Sequence, residues 1–310
     1  MQILDNIAGL AGLRGPVVLA LGVFDGLHVG HLEVLSRAKA LAAGSGGTAV
    51  ASTFHPHPRR LLRPDDAPLL LTSLPHFELL IGRIGMEHLL VIPFSVDFAA
   101  SEPMAFITSL CTAAKPLGGI VTGTDFCFGR ARSGNASMLA EAGRAMGFTA
   151  VAVPPVLVDG ERVSSTLVRQ AVQAGDFARC ERLLGRPHTV LGTVVAGRKL
   201  GRTMGFPTAN LHVHNEQLPP LGVYAVTVSH EGRTFPGVAN LGLRPTIGDI
   251  RQPLLEVHLL DFDGDLYGKD IEVAFVRFLR AEMTFAGLDA LRGQIAMDAT
   301  AARAVLAETR

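Results

Sequence analysis

The chain has 310 residues, 48% of them hydrophobic and 18% charged, with 28 basic and 28 acidic side chains and so no formal net charge. That length suits two domains of ordinary size better than one core. The charge balance excludes a chain drawn as a whole to nucleic acid or an anionic membrane, so any phosphate site has to be local.

The opening residues MQILDNIAGLAGLRG carry no basic run ahead of an apolar core, and no later apolar run reaches the ~18 residues that a span requires. Neither targeting nor membrane insertion is expected. Cys111, Cys127 and Cys180 are widely spaced, with no CxxC pair to suggest zinc or a disulfide framework, and a reducing cytoplasm fits them best.

From Val17 to Val153 short apolar runs (VVLALGV, TAVASTF, HLLVIPF, GGIVTG, FTAVAVP) alternate with helix-like segments such as Gly30 to Ala43 and Ser137 to Met146. Strands buried on both faces and separated by helices predict a doubly wound α/β domain with a parallel sheet. A helical stretch from Ser165 to Leu184 follows, and GRP breaks it near Leu184 to His188. The expected division is therefore 1–184 and 185–310. Beyond it, TVLGTVV, GVYAVTVSH, an EG turn, RTFPGVANLG, LLEVHLLDF, a DG turn at Asp263 and Gly264, and DIEVAFVRFL read as an antiparallel barrel or sandwich. A helix from Ala286 to Glu308 closes the pattern.

Two segments carry chemistry. In GVFDGLHVGH, a strand end runs through Gly26 into His28, Gly30 and His31 at a helix start, where open α/β sheets place ligands and free N–H groups attract phosphate. Two imidazoles separated by a glycine can donate hydrogen bonds to the charge that builds on an attacked α-phosphorus, and the substrate supplies its own nucleophile. A metal reading that adds His55 and His57 lacks a carboxylate or thiolate set; Pro56 and Pro58 are expected to stiffen a loop over the pocket. Asp125 in VTGTDFCFGR is placed to meet a ribose or base, and Phe126 and Phe128 line an apolar slot or fill the core. In SSTLVR, Ser164, Ser165 and Thr166 cap a helix and, with Arg169 a turn on, offer a phosphate site.

The second segment, VVAGRKLGRTMGFPTANL, sets Gly197, Gly201 and Gly205 among Arg198, Lys199 and Arg202 and then presents Thr208 and Asn210. Such a loop wraps a polyphosphate, and a hydroxyl and an amide oxygen suit Mg²⁺ bound to ATP. On LLEVHLLDF, alternation sets Glu256 and His258 opposite Leu255, Val257 and Leu259. Glu256 is the candidate general base for an alcohol nucleophile.

GVFDGLHVGH, TFHPHP, GTDFCFG, SSTLVR, GRTMGFPTANL, GVYAV, GVANLGLRPT, LEVHLLDFDGDLYG and LRAEMTF occur together in the order in which the bacterial bifunctional riboflavin kinase/FMN adenylyltransferases carry them, and the chain resembles that family over nearly its whole length. The resemblance implies an α/β adenylyltransferase domain followed by an antiparallel β-barrel kinase with a C-terminal helix. It implies riboflavin, FMN, FAD and ATP as ligands, Mg²⁺ as cofactor, and neither nucleic acid nor membrane as a partner. Assembly as a homo-oligomer is left open. Catalysis would fall to Glu256, His28 and His31, and the metal to Thr208 and Asn210. ATP and phosphate contacts would come from Gly22, Phe24, Asp25, Gly26 and Gly30, from Asp125 and Arg162, and from Ser165, Thr166 and Arg169. In the barrel they would come from Gly197, Gly201, Arg202, Gly205 and Pro207, and flavin would lie near Phe54 and Phe128 and near Arg280 and Glu282. Cys127 and Thr122 depart from the residue types usual in the family. The alternatives are a single-activity adenylyltransferase, a flavin-binding protein with dead sites, and a tRNA ligase; the intact PTAN and Glu256, the intact histidines, and the lack of a KMSKS-like loop argue against each in turn.

Overall fold

The computed structural model describes residues 1–197, 205–245 and 251–308. It divides into two compact units: Met1–Leu69 with Phe77–Ser165, and Leu70–His76 with Thr166–Arg310.

In the first unit, six strands form one parallel sheet in the order β1-β4-β3-β2-β5-β6. They are β1 (Gln2–Leu4), β2 (Val17–Leu21), β3 (Thr48–His55), β4 (His88–Pro93), β5 (Leu117–Gly123) and β6 (Thr149–Val153). All five residues of β2 are buried, which explains why it reads as an unbroken apolar run rather than an alternating one. The crossovers carry α1 (Val29–Gly44), α2 (Pro58–Leu62), α3 (Leu74–Arg83), α4 (Val96–Ala99), α5 (Pro103–Ala113) and α6 (Ala136–Met146). Strand order runs outward from β2 in both directions, so the switch point lies between β2 and β5, where the carboxyl ends of an open sheet leave a crevice. Where a stiff loop was expected, Pro58 begins α2, with the His57 side chain accepting the Arg59 N–H as its cap. A short hairpin, β7 (Leu157–Val158) and β8 (Glu161–Arg162), precedes the end of the unit.

The helical stretch from Ser165 is two helices, α7 (Ser165–Ala174) and α8 (Phe177–Leu184), interrupted at Gly175 with φ +68°. By packing, residues 166–184 group with the barrel. The cause is Phe177, which is buried in the barrel core and stacks on Phe275 with 5.7 Å between ring centres.

The second unit is a closed antiparallel barrel in the order β10-β13-β12-β11-β14-β9. Its strands are β9 (Thr189–Val195), β10 (Ala209–Val213), β11 (Gly222–His230), β12 (Arg233–Pro245), β13 (Arg251–Leu259) and β14 (Asp270–Arg280). The EG turn is a two-residue hairpin whose Glu231 and Gly232 have φ +47° and +75°, as a type I′ turn requires. The expected DG turn is not a hairpin: β13 pairs with β10 and β12, while β14 pairs with β9 and β11. Inside the barrel lie Leu255, Val257, Leu259, Tyr224, Val226 and their neighbours. Outside it, α9 (Leu288–Glu308) lays Ala302, Val305 and Leu306 on Val223, Ala225 and Val238.

The segment Leu70–His76 also belongs to this unit. His76 is fully buried, with its Nε2 3.1 Å from both Glu272 Oε1 and Thr189 Oγ1. Asn215 accepts the Leu191 N–H on Oδ1, so its Nδ2 is the atom facing His76 Nδ1, at 2.9 Å. His76 Nδ1 therefore accepts, and the imidazole carries its proton on Nε2 toward the carboxylate.

Candidate active sites

In the first unit the site grows out of the turn after β2. Phe24, Gly26 and Leu27 have φ of +55°, +83° and +43°. Two of these are not glycine and cost about 1–2 kcal/mol each. Burial of Phe24 and Leu27, at 2% and 1% exposure, offsets that cost. The turn delivers His28 as the cap of α1: its Nδ1 accepts the His31 N–H at 3.3 Å. Nδ1 is thereby occupied as an acceptor, and neutral His28 presents Nε2–H as a donor.

The His28 and His31 rings stack with centres 3.6 Å apart, and Phe24 meets His31 edge-on at 5.3 Å. A Cβ on Gly30 would lie 3.1 Å from His28 Cε1 and 3.2 Å from Nδ1, so the glycine makes room for the ring. Burial lowers the pKa of His28 to about 4, with a smaller opposing effect from Asp125 and a reinforcing one from Arg162. Burial also holds His31 well below the usual histidine range, helped by its neighbour His28. Both imidazoles are neutral near pH 7. His31 Nδ1 is buried and finds no hydrogen-bond partner among the described residues.

The end of β5 brings Asp125 to the same edge of the sheet, where it accepts a hydrogen bond from Arg162 of β8. Ser165 Oγ donates to the Asp25 carbonyl at 2.8 Å, which ties the first residue of α7 to the histidine turn. Its hydroxyl proton is thus committed to backbone. Thr166 and Arg169 fall in the second unit. Phe54 and Phe128 are nearly buried and belong to one aromatic cluster through Phe98 and Phe106, with centre separations of 6.1, 5.5 and 5.8 Å. Phe126 stacks on Phe128 and is partly exposed. His55 and His57 join no metal group: among the described residues there is no cluster of three His, Cys, Asp or Glu side chains placed to hold one.

In the barrel, Glu256 stands on the outer face of β13 between two asparagines. It lies opposite Asn210 of β10 and opposite Asn240 of β12 in the strand registers. Side chains directly opposite on antiparallel strands are ~5 Å apart. Asn240 was not singled out from the sequence, because only strand register brings GVANLG beside LLEVHLL. Asn210 is 8% exposed, and Gly197 leaves the space its amide fills, since a Cβ there would collide with Asn210 Nδ2. A Cβ on Gly242 would likewise strike the Glu282 carboxylate. His258 Nδ1 lies 2.8 Å from the Pro207 carbonyl and its ring meets Phe206 edge-on, fixing the chain just before Thr208. Gly205, Pro207 and Thr208 are exposed at this rim. Gly201 and Arg202 lie outside the described residues.

Arg280, at the end of β14, is held by Asp298 of α9. The hydroxyl of Thr208 and the amide oxygen of Asn210 are hard-oxygen donors of the kind that suits Mg²⁺ bound to ATP.

A stacked imidazole pair at the start of α1 by the switch point of a parallel sheet, followed by a carboxylate between two asparagines on an antiparallel barrel, is the arrangement expected of a two-domain transferase that works on phosphate groups. Comparison with known proteins makes this specific. The FAD synthetase family model matches residues 13–167 and the riboflavin kinase model residues 184–306. The bifunctional riboflavin kinase/FMN adenylyltransferase of Pseudomonas fluorescens is 39% identical over 99% of this chain and 98% of its own length. That of Escherichia coli K12 is 40% identical over 92% and 91%. The chain belongs to the bifunctional riboflavin kinase/FMN adenylyltransferase family. A crystal structure from Streptococcus pneumoniae described as a macrolide-efflux protein shares the fold, with TM-score 0.82 and 30% identity over 97% of this chain and 98% of that one. In this chain no helix among the described residues is long and apolar enough to cross a membrane.

Proposed function

We propose that this chain makes FAD from riboflavin in two ATP-dependent steps. The barrel phosphorylates the riboflavin 5′-hydroxyl to give FMN. The α/β unit then transfers AMP from a second ATP to the FMN phosphate and releases pyrophosphate. The observation that supports this most directly is that each family-matched half brings its candidate catalytic residues together: His28 stacks on His31 in one, and Glu256 lies between Asn210 and Asn240 in strand register in the other.

In the kinase step Glu256 takes the hydroxyl proton as the oxygen attacks the γ-phosphorus and the bond to the bridging oxygen breaks to release ADP, a contribution of about 10²–10⁴ in rate. Thr208 and Asn210 would hold Mg²⁺, which would neutralise charge on the ATP phosphates. Asn240 orients the carboxylate or the hydroxyl from the other side. Gly197, Gly205 and Pro207 contact the ATP phosphates, a role the family resemblance also gives to Gly201 and Arg202, and Arg280 and Glu282 contact the flavin ring.

In the adenylyl step the FMN phosphate oxygen attacks the α-phosphorus and pyrophosphate leaves. His28 and His31, both neutral, donate N–H groups to the oxygens where charge accumulates. The turn Gly22, Phe24, Asp25 and Gly26, with Ser165, supplies further phosphate ligands in this unit, and Thr166 and Arg169 are phosphate ligands by the family resemblance alone. Asp125, steered by Arg162, meets the adenosine, and flavin packs near Phe54 and Phe128.

A cytoplasmic location, residues 1–184 for adenylyl transfer and 185–310 for the kinase, and work without nucleic-acid or membrane partners complete the proposal. Whether one copy or a homo-oligomer acts does not alter it, since neither mechanism needs a second chain. The test is to incubate the protein with riboflavin, ATP and Mg²⁺ and separate the flavins over time. FMN that rises and then gives way to FAD is expected. FMN that persists would defeat the adenylyltransferase assignment, and no flavin product would defeat both.

A further inference from the structure

The outer face of the barrel holds a buried carboxylate that the proposed mechanism does not use. Asp298 sits midway along α9 and is only 5% exposed. Withdrawing a carboxylate from water costs several kcal/mol unless it is paired and hydrogen-bonded. Apolar contacts already dock α9, through Ala302, Val305 and Leu306, so docking alone does not explain the charge.

Its hydrogen bonds point to one residue. Arg280 Nε donates to Asp298 Oδ1 and Oδ2 at 3.0 and 3.2 Å, and Arg280 Nη2 donates to Oδ2 at 2.7 Å. Gln294, one turn earlier on α9, donates to Oδ1 at 2.9 Å. Arg280 Nη1 donates to the Ala281 carbonyl at 2.9 Å, and the guanidinium lies 5.9 Å from the centre of the Phe285 ring.

A guanidinium is planar and carries five N–H groups in fixed directions. One on Nε, one on Nη2 and one on Nη1 are engaged by these contacts. Those left, one on each terminal nitrogen, lie off the edge that Asp298 holds. Fixing one edge of a planar group fixes the direction of the other.

We propose that Asp298 is a positioning residue for riboflavin binding, holding the Arg280 guanidinium in the direction that meets the flavin ring. The inference rests on the kinase reading of the barrel. Its chemical logic is complementarity: Arg280 offers only donors, Glu282 two residues on offers only acceptors, and the pyrimidine edge of an isoalloxazine presents two carbonyls around one N–H. A guanidinium already tethered loses little freedom on binding, so its hydrogen bonds appear as affinity rather than being spent on ordering.

The test is steady-state kinetics of the full chain with Asp298→Asn, Arg280→Lys and the double variant. Asp298→Asn keeps the side chain's size but turns an N–H toward the guanidinium. Its KM for riboflavin should rise about tenfold, while kcat for phosphorylation and KM for FMN in the adenylyl step stay within about twofold. Arg280→Lys should show a similar rise, and adding Asp298→Asn to it should change KM by less than about twofold, because one residue acts through the other. An unchanged KM in Asp298→Asn, or effects that multiply in the double variant, would overturn the inference. So would a lowered inactivation temperature with KM unmoved. If Asp298→Asn does not fold, Asp298→Glu keeps the charge, displaces it by one methylene, and should raise KM in the same way. A wild-type chain that makes no FMN would instead defeat the kinase reading itself.

Discussion

Replacing Gly30 by alanine separates folding from catalysis in the first unit. Gly30 is the second residue of α1 and its backbone is not in the left-handed region, so alanine adopts it without strain and should stabilise the helix by up to about 1 kcal/mol. The added methyl would stand 3.1–3.2 Å from two atoms of the His28 ring, several tenths of an ångström inside ordinary contact. His28 cannot recoil freely: His31 is stacked against it at 3.6 Å, and its Nδ1 is engaged by the His31 N–H. The Nε2–H donor must therefore swing, and misplacement of a catalytic group by about 1 Å costs on the order of 10² in rate. A displacement of roughly half that should lower AMP transfer to FMN by about 10- to 100-fold. FAD formation from supplied FMN would be followed by chromatography, alongside FMN formation from riboflavin and the melting temperature. The expected result is a slow adenylyl step with an unchanged kinase step and no lower melting temperature. Adenylyl transfer within twofold of wild type would refute the claim that His28 is held in a fixed catalytic position.

His28→Ala should abolish FAD formation and spare FMN formation, whereas Glu256→Gln should cut phosphorylation by about 10²–10⁴ and spare adenylyl transfer of supplied FMN; product analysis of both variants checks the pair. Removing Mg²⁺ with excess chelator should stop both steps, and continued turnover would contradict the metal reading. His28 has a folded pKa of about 4 against 6.5 for the free group, so the folded state favours the neutral form. Its contribution to stability is complete above pH 6.5 and is lost as pH falls toward 4, in all about 3 kcal/mol. His188, which burial lowers to about 3, adds to the same acid loss. Urea midpoints between pH 7 and 4 should show the decline, and His28→Asn should make it shallower. His76→Ala removes an N–H from the buried Glu272 carboxylate and should cost about 3 kcal/mol, read as faster thermal inactivation of the kinase.

Much of this was legible in the sequence because it is local. The unbroken apolar run VVLAL, the glycine between two histidines and the EG turn each declare their conformation within a few residues. What stayed hidden is set by pairing across the chain. PTANL reads as loop because β10 is short and follows a proline, yet Ala209–Val213 is the strand that closes the barrel. Asn240 becomes significant only once it is opposite Glu256. LTSLPH resembles an ordinary connection, since nothing in its neighbours announces that His76 is buried against residues more than a hundred positions later. Ser165 to Leu184 reads as one helical run because Gly175 alone marks the break.

The placement of Leu70–His76 also imposes a schedule on synthesis. Thr189 emerges 113 residues after His76, and Glu272 emerges 196 residues after it. At about 5–20 residues per second the imidazole waits roughly 10–40 s for its carboxylate. During that interval His76 lacks the partners that bury it in the finished barrel. The barrel is thus finished by joining one of its latest-made strands to one of its earliest-made segments, and any pause between codons 77 and 272 lengthens the time that segment stands open to chaperones or to misplaced contacts.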